Sequence, residues 1–571
     1  MKGYVVPTIL APIFILGEVV MEALIPYKMA DLIDKGIEVG NMEYVTQIGK
    51  TLLLLSVISL TLGALASITS SVAGAGFAKN LRHQMYEKIS TFSFANVDKF
   101  SSSSLITRMT TDVARIRMAF MMGIRMAFRA PGMLIFSLVL AFKISNKLPW
   151  VFIAAIPLLA IAFYIIMTKG MPLFKAMFVK FDRLNQVIQE NVRGIRVVKA
   201  YVREKDECEK FSDTATEVRD MSIKAERIVA FASPIMNLAM YGCMIGVAWL
   251  GAKFIVAGEM STGQLTSMIS YIMMILTSLL MLSIIFIQIM MAEASAVRIG
   301  EVLMEEPDIK NCDNPIMEVK DGSVEFKDVR FAYGEAKDCL RDIDLKFKSG
   351  ETIGIIGGTG SGKTSLVQLI PRLYDAREGS VLVGGDNVKD IDLTVLRKSV
   401  AMVLQKNVLF SGTIRENMQW GKEDANDDEI WAALKLAQAD KFVEKLEDGL
   451  DTMVAQGGTN FSGGQRQRLC IARALIGNPK ILIFDDSTSA VDTATEKRIR
   501  EGLLQYMPDT TKIIIGQRIS SVKDADRIVV IDDGMVSGVG THEDLLLFNK
   551  IYQEVYESQT KGGDFDEPQA E

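Results

Sequence analysis

The stretch Gly357-Gly358-Thr359-Gly360-Ser361-Gly362-Lys363-Thr364 defines the C-terminal half of this chain. It follows the apolar run Thr352-Ile353-Gly354-Ile355-Ile356 and precedes the helical pattern Ser365-Leu366-Val367-Gln368-Leu369-Ile370. A glycine-rich turn between a strand and a helix lets backbone N–H groups surround a phosphate at a helix N-terminus, whose dipole favours negative charge. The spacing is that of a P-loop. We therefore predict a nucleotide-phosphate site here.

The residue types within this loop assign individual roles. In a P-loop the lysine, here Lys363, reaches the β- and γ-phosphates, and the hydroxyl of Thr364 takes a position on Mg²⁺. The predicted cofactors are therefore ATP and Mg²⁺. The predicted nucleotide contacts along this stretch are Gly357, Gly358, Thr359, Gly360, Ser361, Gly362, Lys363, Thr364 and Ser365.

A second phosphate element is the segment Lys480-Ile481-Leu482-Ile483-Phe484-Asp485-Asp486. A P-loop ATPase needs an apolar strand that ends in a carboxylate beside the Mg²⁺. We assign Asp485 to the metal, through water, and Asp486 to polarising the water that attacks ATP.

Composition separates the chain into two kinds of sequence. Of its 571 residues, 49% are hydrophobic and 23% are charged, so apolar and charged segments must be segregated. The net charge of −6 argues against a nucleic-acid partner. The five cysteines show no CxxC pair or paired spacing and are interpreted as reduced thiols.

Apolar stretches of about 20 residues, long enough to cross a bilayer as helix, occur six times in the first half. They are Tyr4–Ile25, Leu52–Ala78, Ile124–Phe142, Leu148–Met167, Ile228–Phe254 and Leu265–Met291. Six spans place both termini on one side, and the ATP site requires that side to be the cytoplasm. The segments Lys79–Met118 and Thr168–Arg227 carry about twenty lysines and arginines, against about five in the opposite loops. We expect a multi-pass protein of the cell membrane with a cytoplasmic nucleotide-binding domain.

The two long cytoplasmic segments keep helical periodicity, so we expect the spans to continue beyond the bilayer as helix. The turns at their far ends are predicted at Asn96–Ser104 and Arg203–Phe211. Charges around an aromatic residue in each turn suit docking on another domain. From the residues alone, solvated hairpin tips are an equal alternative.

Ionisable residues inside the spans allow two interpretations. Glu18 and Glu22 lie one helical turn apart, and either line a cavity that favours cations or pair with a neighbouring helix or the interface. For Arg125 and Arg129 we expect the side chains to extend to the cytoplasmic interface. The methionines of the last span either form an adaptable apolar wall or fill helix packing.

Breaks in composition give the domain organisation. We predict a membrane domain over residues 1–303 and a linker over 304–316, where Pro307 and Pro315 interrupt helix. A nucleotide-binding domain of strands and helices follows over residues 317–560. The polar, acidic tail at 561–571 is predicted to be disordered.

A third phosphate element is Ser462-Gly463-Gly464-Gln465, which leads into a helical pattern. A serine, two glycines and a helix start form a second phosphate-sized cup. One nucleotide does not need two such cups from one chain. We therefore predict a dimer in which each chain's cup closes over the nucleotide held by the other.

Six spans, the P-loop, Ser462-Gly463-Gly464-Gln465 and Asp485 in this order resemble the ATP-binding cassette (ABC) half-transporters of the exporter fold. The resemblance implies a six-span α-helical membrane domain followed by an α/β P-loop ATPase domain. It also implies Gln405 as a Mg²⁺-linked glutamine, Tyr333 as the aromatic that stacks on adenine, and Ser489-Ala490-Val491-Asp492 as a loop crossing between two cassettes. The resemblance also favours the interpretation that the two predicted turns dock on another domain, over that of solvated hairpin tips.

Two positions depart from the family pattern. Asp486 stands where the family usually has a catalytic glutamate, and Gln517 stands where it has a histidine that contacts the γ-phosphate. In the family, both positions lie beside the γ-phosphate of ATP. They resemble the degenerate subunit of heterodimeric bacterial multidrug exporters, which binds ATP and hydrolyses it slowly. The resemblance implies an unlike, catalytically competent half-transporter as partner.

These expectations leave three functions open. The first is an ATP-driven exporter subunit for hydrophobic or amphipathic compounds. The second is a lipid or peptide exporter subunit with the same energetics. The third is a mainly regulatory nucleotide-binding subunit.

Overall fold

The computed structural model describes residues 2–486 and 492–561, and these divide into two compact units. The first unit contains the described residues up to Ser90 together with Ser103–Met304. The second contains Thr91–Ser102 and the described residues from Glu305 onward. The predicted disordered tail lies outside the described residues, except for Lys561.

The first unit is built of helices only. They are α1 (Val5–Leu32), α2 (Met42–Ser90), α4 (Ser102–Thr107), α5 (Val113–Ile144), α6 (Pro149–Arg193), α7 (Ile195–Ala200), α8 (Glu204–Ala230), α9 (Ala232–Val256) and α10 (Thr262–Met304), with π-helical turns at Ile33–Ile37 and Arg108–Asp112; α3 (Phe94–Phe100) belongs to the second unit.

Six helical stretches among the described residues are long and apolar enough to cross a membrane, which confirms the predicted number. They are Val5–Ile37, Met42–Ser90, Ser102–Ile144, Pro149–Arg193, Glu204–Val256 and Thr262–Leu282. Helix α2 has 49 residues. At about 1.5 Å per residue it is roughly two and a half times as long as the ~30 Å hydrocarbon layer. The spans therefore continue as helix beyond the bilayer, as the periodicity predicted.

The expectation that Arg129 extends to the interface is wrong. Its guanidinium pairs with two glutamates of α1: Nη1 lies 2.6 Å from Glu18 Oε1, and Nη2 donates to both oxygens of Glu22 at 2.9 and 2.8 Å. An ion inside an apolar bundle is stable only when it is paired, and α1 supplies the pair. Glu18 and Glu22 thus pair with a neighbouring helix, and Glu22 also lines a cavity, whose preference for cations stays a prediction. Arg125 is exposed on the same helix, and its interfacial role stays a prediction.

Polar contacts also join α10 to the rest of the bundle at two levels. Near its C-terminal part, Arg298 donates from Nε to Asp112 Oδ2 at 2.8 Å, and Ser295 Oγ donates to Asp112 Oδ1 at 2.9 Å. Near its beginning, the backbone N–H of Gly263 donates to Asp34 Oδ1 at 2.7 Å. The Asp112 carboxylate is buried between helices, whereas Asp34 is half-buried.

The second unit contains all the strands. They are β1 (Val324–Phe331), β2 (Leu340–Phe347), β3 (Thr352–Gly357), β4 (Glu378–Val383), β5 (Asp386–Asn387), β6 (Val400–Val403), β7 (Gly412–Thr413), β8 (Met453–Val454), β9 (Ile481–Asp485), β10 (Thr511–Ile515), β11 (Arg527–Asp532) and β12 (Met535–Gly540).

Its remaining helices lie between and after these strands. They are α11 (Lys363–Gln368), α12 (Leu393–Ser399), α13 (Ile414–Gln419), α14 (Asp427–Leu436), α15 (Asp440–Val443), α16 (Gly463–Leu475), α17 (Thr493–Tyr506), α18 (His542–Phe548) and α19 (Lys550–Lys561), with 3₁₀ turns at Gly449–Asp451, Gln456–Gly458 and Ile519–Ser521.

A six-stranded sheet in the order β12-β11-β3-β10-β9-β6 organises this unit. Five strands are parallel, and β12 pairs antiparallel at one edge. Both faces are covered, which explains the apolar runs at residues 481–484 in β9 and 513–515 in β10. Alternate residues of β9 point into different cores: Ile483 packs with α11 and Phe484 packs with α16. The α/β ATPase fold predicted from the sequence is confirmed.

The first of the two predicted docking turns, Asn96–Ser104, begins within α3, which belongs to the second unit. Helix α3 is capped by Ser93 and lies against the start of that unit, where the buried Asn96 donates to Glu305 Oε1 at 2.9 Å and Lys99 lies 2.8 Å from Glu305 Oε2. Phe94 meets the ring of Tyr374 edge-on with centroids 6.0 Å apart. The second turn, Arg203–Phe211, lies in the first unit, and its docking stays a prediction.

Candidate functional site

The P-loop follows β3 at the carboxyl edge of the six-stranded sheet. A Cβ on Gly357 would lie 2.0 Å from the carbonyl oxygen of Ile531, and one on Gly362 would lie 2.8 Å from Leu340. Gly362 also has φ +99°, a left-handed conformation that glycine adopts at little cost. These two glycines are required by the fold of the loop itself.

The other two glycines face open space. A Cβ built on Gly358 or on Gly360 would meet no atom within 4 Å, and Gly360 has φ +82°. Bare backbone therefore borders a cup at the N-terminus of α11, as the close approach of a phosphate requires. Ser361 and Ser365 are buried beneath the loop, and Thr359 is exposed at its tip. The residues present fit a nucleotide phosphate.

Lys363 lies across the loop. Its ammonium donates to the carbonyl oxygens of Gly357 at 2.9 Å and Gly358 at 2.7 Å. Burial lowers the pKa of this ammonium, and the nearby carboxylates of Asp486 and Asp485 partly oppose that shift. A half-buried cation whose hydrogen-bond partners are neutral oxygens gains when an anion approaches.

Thr364 and Asp485 form the candidate metal position. The Thr364 hydroxyl donates to Asp485 Oδ1 at 2.8 Å, and the Asp485 side chain is buried at the end of β9. Burial raises the pKa of Asp485, while the Thr364 hydrogen bond and Lys363 lower it. Among the described residues, no group of three or more His, Cys, Asp or Glu side chains is placed to hold a metal by itself. A Mg²⁺ here would therefore complete its oxygen shell from phosphate and water.

Asp486 and Gln517, the two positions that depart from the family pattern, touch each other. Gln517 Nε2 donates to Asp486 Oδ2 at 2.7 Å. They meet because β9 and β10 are neighbours: Asp485 is in register with Ile515, and Asp486 N–H donates to Ile515 O at 3.2 Å. Asp486 has φ +46°, a conformation uncommon outside glycine and enriched at functional sites.

Gln405 and Tyr333 border the same site from two other elements. Gln405 is exposed two residues after β6, whose Val403 is in register with Phe484 of β9. It therefore follows the strand next to the one that ends in Asp485. The Tyr333 hydroxyl lies 2.9 Å from Ser365 Oγ, directly beneath the P-loop helix.

Sequence reasoning missed Tyr374, which extends this aromatic contact. The rings of Tyr333 and Tyr374 meet edge to face with centroids 5.1 Å apart, and the Tyr374 hydroxyl donates to Asp98 Oδ2 at 2.5 Å. Burial and the Asp98 charge raise the pKa of Tyr374, so its hydroxyl stays protonated at neutral pH. A lone tyrosine after a helical pattern gave no signal, because its partner Asp98 is 276 residues away.

The loop Ser462-Gly463-Gly464-Gln465 caps α16 on the other side of the sheet. The backbone N–H of Gln465 donates to Ser462 Oγ at 3.3 Å, and the N–H of Ser462 donates to Gln465 Oε1 at 2.9 Å. Helix α16 packs through Leu469 on the core that covers one face of the sheet, whereas α11 packs through Leu366 on the opposite face. The structure thus gathers the P-loop, Asp485, Asp486 and Gln517 at one edge and sets the α16 cap apart. Ser489, Ala490 and Val491 of the predicted crossing loop lie outside the described residues.

Comparison with known proteins agrees with this architecture. Residues 8–279 match the family described as the ABC transporter transmembrane region, and residues 340–489 match the family described as ABC transporter. The uncharacterized ABC transporter ATP-binding protein YfiB of Bacillus subtilis is 37% identical over 560 residues, which cover 98% of this chain and 97% of that protein. An ATP-dependent lipid A-core flippase of Desulfotalea psychrophila is 33% identical over 494 residues, or 85% of each chain.

A solved structure gives the fold directly. A bacterial Atm1-family ABC exporter with ATP bound matches 100% of this chain and 99% of its own with a TM-score of 0.81, at 24% sequence identity. At that identity the likeness concerns the fold alone. A half-transporter fold implies dimerisation and a membrane context, and the cassette implies ATP binding. This chain therefore belongs to the ABC transporters, as an ATP-driven half-transporter with the exporter fold.

Proposed function

We propose that this chain is the degenerate-site subunit of a heterodimeric exporter of hydrophobic or amphipathic compounds. The Asp486–Gln517 hydrogen bond carries this proposal. Aspartate is shorter than glutamate by one methylene, about 1.5 Å. One of its oxygens accepts a bond from an amide, which cannot gain a proton near neutral pH as a histidine can. A misplacement of about 1 Å can lower a rate about a hundredfold.

The residues that hold nucleotide keep their family types. Lys363 would contact the β- and γ-phosphates, the loop N–H groups would bind phosphate oxygens, and Tyr333 would stack on adenine. Thr364, Asp485 and Gln405 would hold Mg²⁺, directly or through water. Bound Mg²⁺ supplies neutralisation of the charge on the phosphate oxygens. The site therefore retains ATP for longer than a competent site would.

The cap of α16 would act on the partner's nucleotide. Ser462, Gly463, Gly464 and Gln465 retain the family pattern in full, and α16 packs on the sheet face opposite the P-loop helix. A chain that keeps an intact cap beside a weakened pocket is suited to complete another chain's site. We propose that the partner is an unlike half-transporter that carries the glutamate and the histidine missing here.

The transported compounds would be apolar or amphipathic, because the buried clusters of the first unit offer methionine, aliphatic and aromatic side chains. The distribution of lysine and arginine supports a cell-membrane protein whose cassette and termini face the cytoplasm. The similarity to a lipid A-core flippase favours lipid export as the second candidate. The two candidates share all of the cassette chemistry and differ only in the transported molecule.

The test compares the chain alone with the chain isolated from its native membrane together with bound partners. Purified alone, it should bind ATP and hydrolyse it far more slowly than the ~10 s⁻¹ typical of enzymes. The native complex should contain a second half-transporter with the missing glutamate and histidine, and should hydrolyse ATP faster. Brisk hydrolysis by a dimer of identical chains would refute the proposal. Stimulation by lipid but by no other hydrophobic compound would select the second candidate.

A further inference from the structure

A cavity of about 350 Å³ lies within the first unit between α1, α5 and α10. Its volume falls within the range of small-molecule sites. One end is lined by Glu22 and Arg129, and the wall includes Met133, Met273, Met274 and Met281. The cavity therefore combines a charged end with a flexible, polarizable apolar wall.

The charged end is not electrically balanced. Arg129 is the shared partner of Glu18 and Glu22, so the three ionised groups together carry a formal charge of −1. The two carboxylates are not equivalent. The Glu18 side chain is 12% exposed and lies against the α2 backbone at Gly63, whereas Glu22 is 30% exposed and lines the cavity. Glu22 and Arg129 both line the cavity, and Glu18 lies behind Arg129, so the excess negative charge of the three residues is at this end of the cavity.

We propose that this cavity binds monovalent amphipathic cations, with the positive centre beside Glu22 and the apolar body against the methionines. This inference rests on the proposed export of hydrophobic or amphipathic compounds and narrows it to one charge class. A cation brings the local charge from −1 to 0, whereas an anion would bring it to −2. In a poorly solvated site that difference is not screened as it is in water.

The Glu18–Arg129 pair keeps the site stable when Glu22 is changed. In a Glu22→Gln variant, Arg129 Nη1 still pairs with Glu18, so no arginine is left alone among apolar helices. In this variant the formal charge of residues 18, 22 and 129 together changes from −1 to 0, and no other charge of the protein is altered. Glu22→Asp keeps the charge, and Glu43→Gln removes a negative charge at the exposed start of α2, outside the cavity. Thermal unfolding of each purified variant checks that it is folded.

The experiment measures equilibrium binding of tetraphenylphosphonium and tetraphenylborate to the full-length chain in detergent. These probes have similar size and shape and opposite charge. We expect the ratio of their affinities, cation over anion, to fall about tenfold in Glu22→Gln. It should stay near the native value in Glu22→Asp and Glu43→Gln. Comparing ratios between variants cancels the different partition of the two probes into detergent.

The outcomes separate this inference from the function on which it rests. Saturable binding of both probes with a ratio unchanged in Glu22→Gln would overturn the charge preference alone. A ratio that rises in Glu22→Gln would overturn it too, and would point to Arg129 as a contact for anions. Absence of saturable binding by either probe, with no stimulation of ATP hydrolysis in the native complex by any hydrophobic compound, would overturn the export of such compounds as well.

Discussion

Two halves of one site lie at the same edge of the cassette sheet and differ in how much they keep of the family pattern. The half that would hold ATP, with Lys363, Thr364 and Asp485, is complete and internally hydrogen-bonded. The half that would activate water, Asp486 with Gln517, keeps hydrogen bonding but not side-chain length or protonation range. Binding tolerates contacts from several directions, whereas water activation depends on one distance. A site can therefore lose turnover while it keeps affinity.

The largest effect should come from removing charge in the binding half. Lys363→Met deletes the half-buried ammonium that donates to the loop carbonyls. Removing one partner of a charged, hydrogen-bonded pair costs roughly 4 kcal/mol, or about a thousandfold in affinity. We expect ATP affinity of the purified chain to fall by that order, measured by equilibrium binding of a fluorescent ATP analogue.

Lys398→Met provides the matched control, since Lys398 is an exposed lysine on α12 of the same cassette. It should leave ATP affinity unchanged. If Lys363→Met also leaves it unchanged, the binding half is not where we place it, and the comparison of the two halves fails.

The second effect should come from repairing the half that would activate water. The double variant Asp486→Glu with Gln517→His restores side-chain length and a group that titrates near neutral pH. We expect hydrolysis by the chain purified alone to rise about tenfold or more, because the distance lost is close to the ~1 Å that can cost a hundredfold. Steady-state phosphate release measures it, and ATP affinity should change little.

The single variants sharpen this test. Asp486→Glu alone should recover part of the rate, and Asp486→Asn should recover none. An unchanged rate in the double variant, with ATP still bound, would show that something other than these two side chains limits the site.

How much the sequence predicts depends on how local the interaction is. The P-loop, the strand ending in Asp485 and the cap at Ser462 are each specified by fewer than about ten consecutive residues, and their strand and helix context follows from periodicity. The meeting of Asp486 with Gln517 was anticipated only through the family resemblance. The structure gives it a physical cause, since the strands that carry them are adjacent.

Contacts between distant segments escaped prediction. Arg129 lies 107 residues from Glu22, and no local pattern tells a side chain that reaches the interface from one that turns inward. The expectation of an interfacial Arg129 failed because the two glutamates of α1 offered a partner inside the bundle. The available signal was the pair of acidic residues one helical turn apart in the first span, since two carboxylates inside a helix bundle predict a basic partner on a neighbouring helix.

A smaller effect should follow from the aromatic edge of the binding half. Tyr333→Ala removes the ring that would stack on adenine, and base stacking on an aromatic side chain contributes roughly 1–3 kcal/mol. We expect about a tenfold loss of ATP affinity, by the same binding assay. Tyr333→Phe keeps the ring and loses only the hydroxyl contact with Ser365.

The phenylalanine variant should therefore bind ATP nearly as well as the native chain. An equal loss in both variants would assign the effect to the hydroxyl contact beneath the P-loop. Tyr506→Ala, an exposed tyrosine at the end of α17, controls for the loss of an aromatic ring elsewhere in the cassette.

The smallest effect should distinguish residues that bind ATP from residues that couple the ATP site to the membrane domain. Tyr374→Phe keeps the ring that packs on Tyr333 and Phe94 and deletes the hydroxyl that donates to Asp98. Asp98 lies on α3, in the segment that joins α2 to α4, so this bond ties the aromatic edge of the site to the chain entering the membrane domain. One hydrogen bond contributes about 1 kcal/mol, or roughly fivefold.

We expect Tyr374→Phe to leave ATP affinity unchanged and to lower the stimulation of hydrolysis by a transported compound about threefold to fivefold, by the same conversion. Asp98→Asn removes the charge but keeps an oxygen that accepts the tyrosine hydroxyl, so its loss should be smaller. A fall in ATP affinity in Tyr374→Phe would make Tyr374 part of the binding half. Equal stimulation in native and variant complexes would show that the Asp98 bond only fixes α3 in place. Coupling between the nucleotide site and the membrane domain would then have to follow another route.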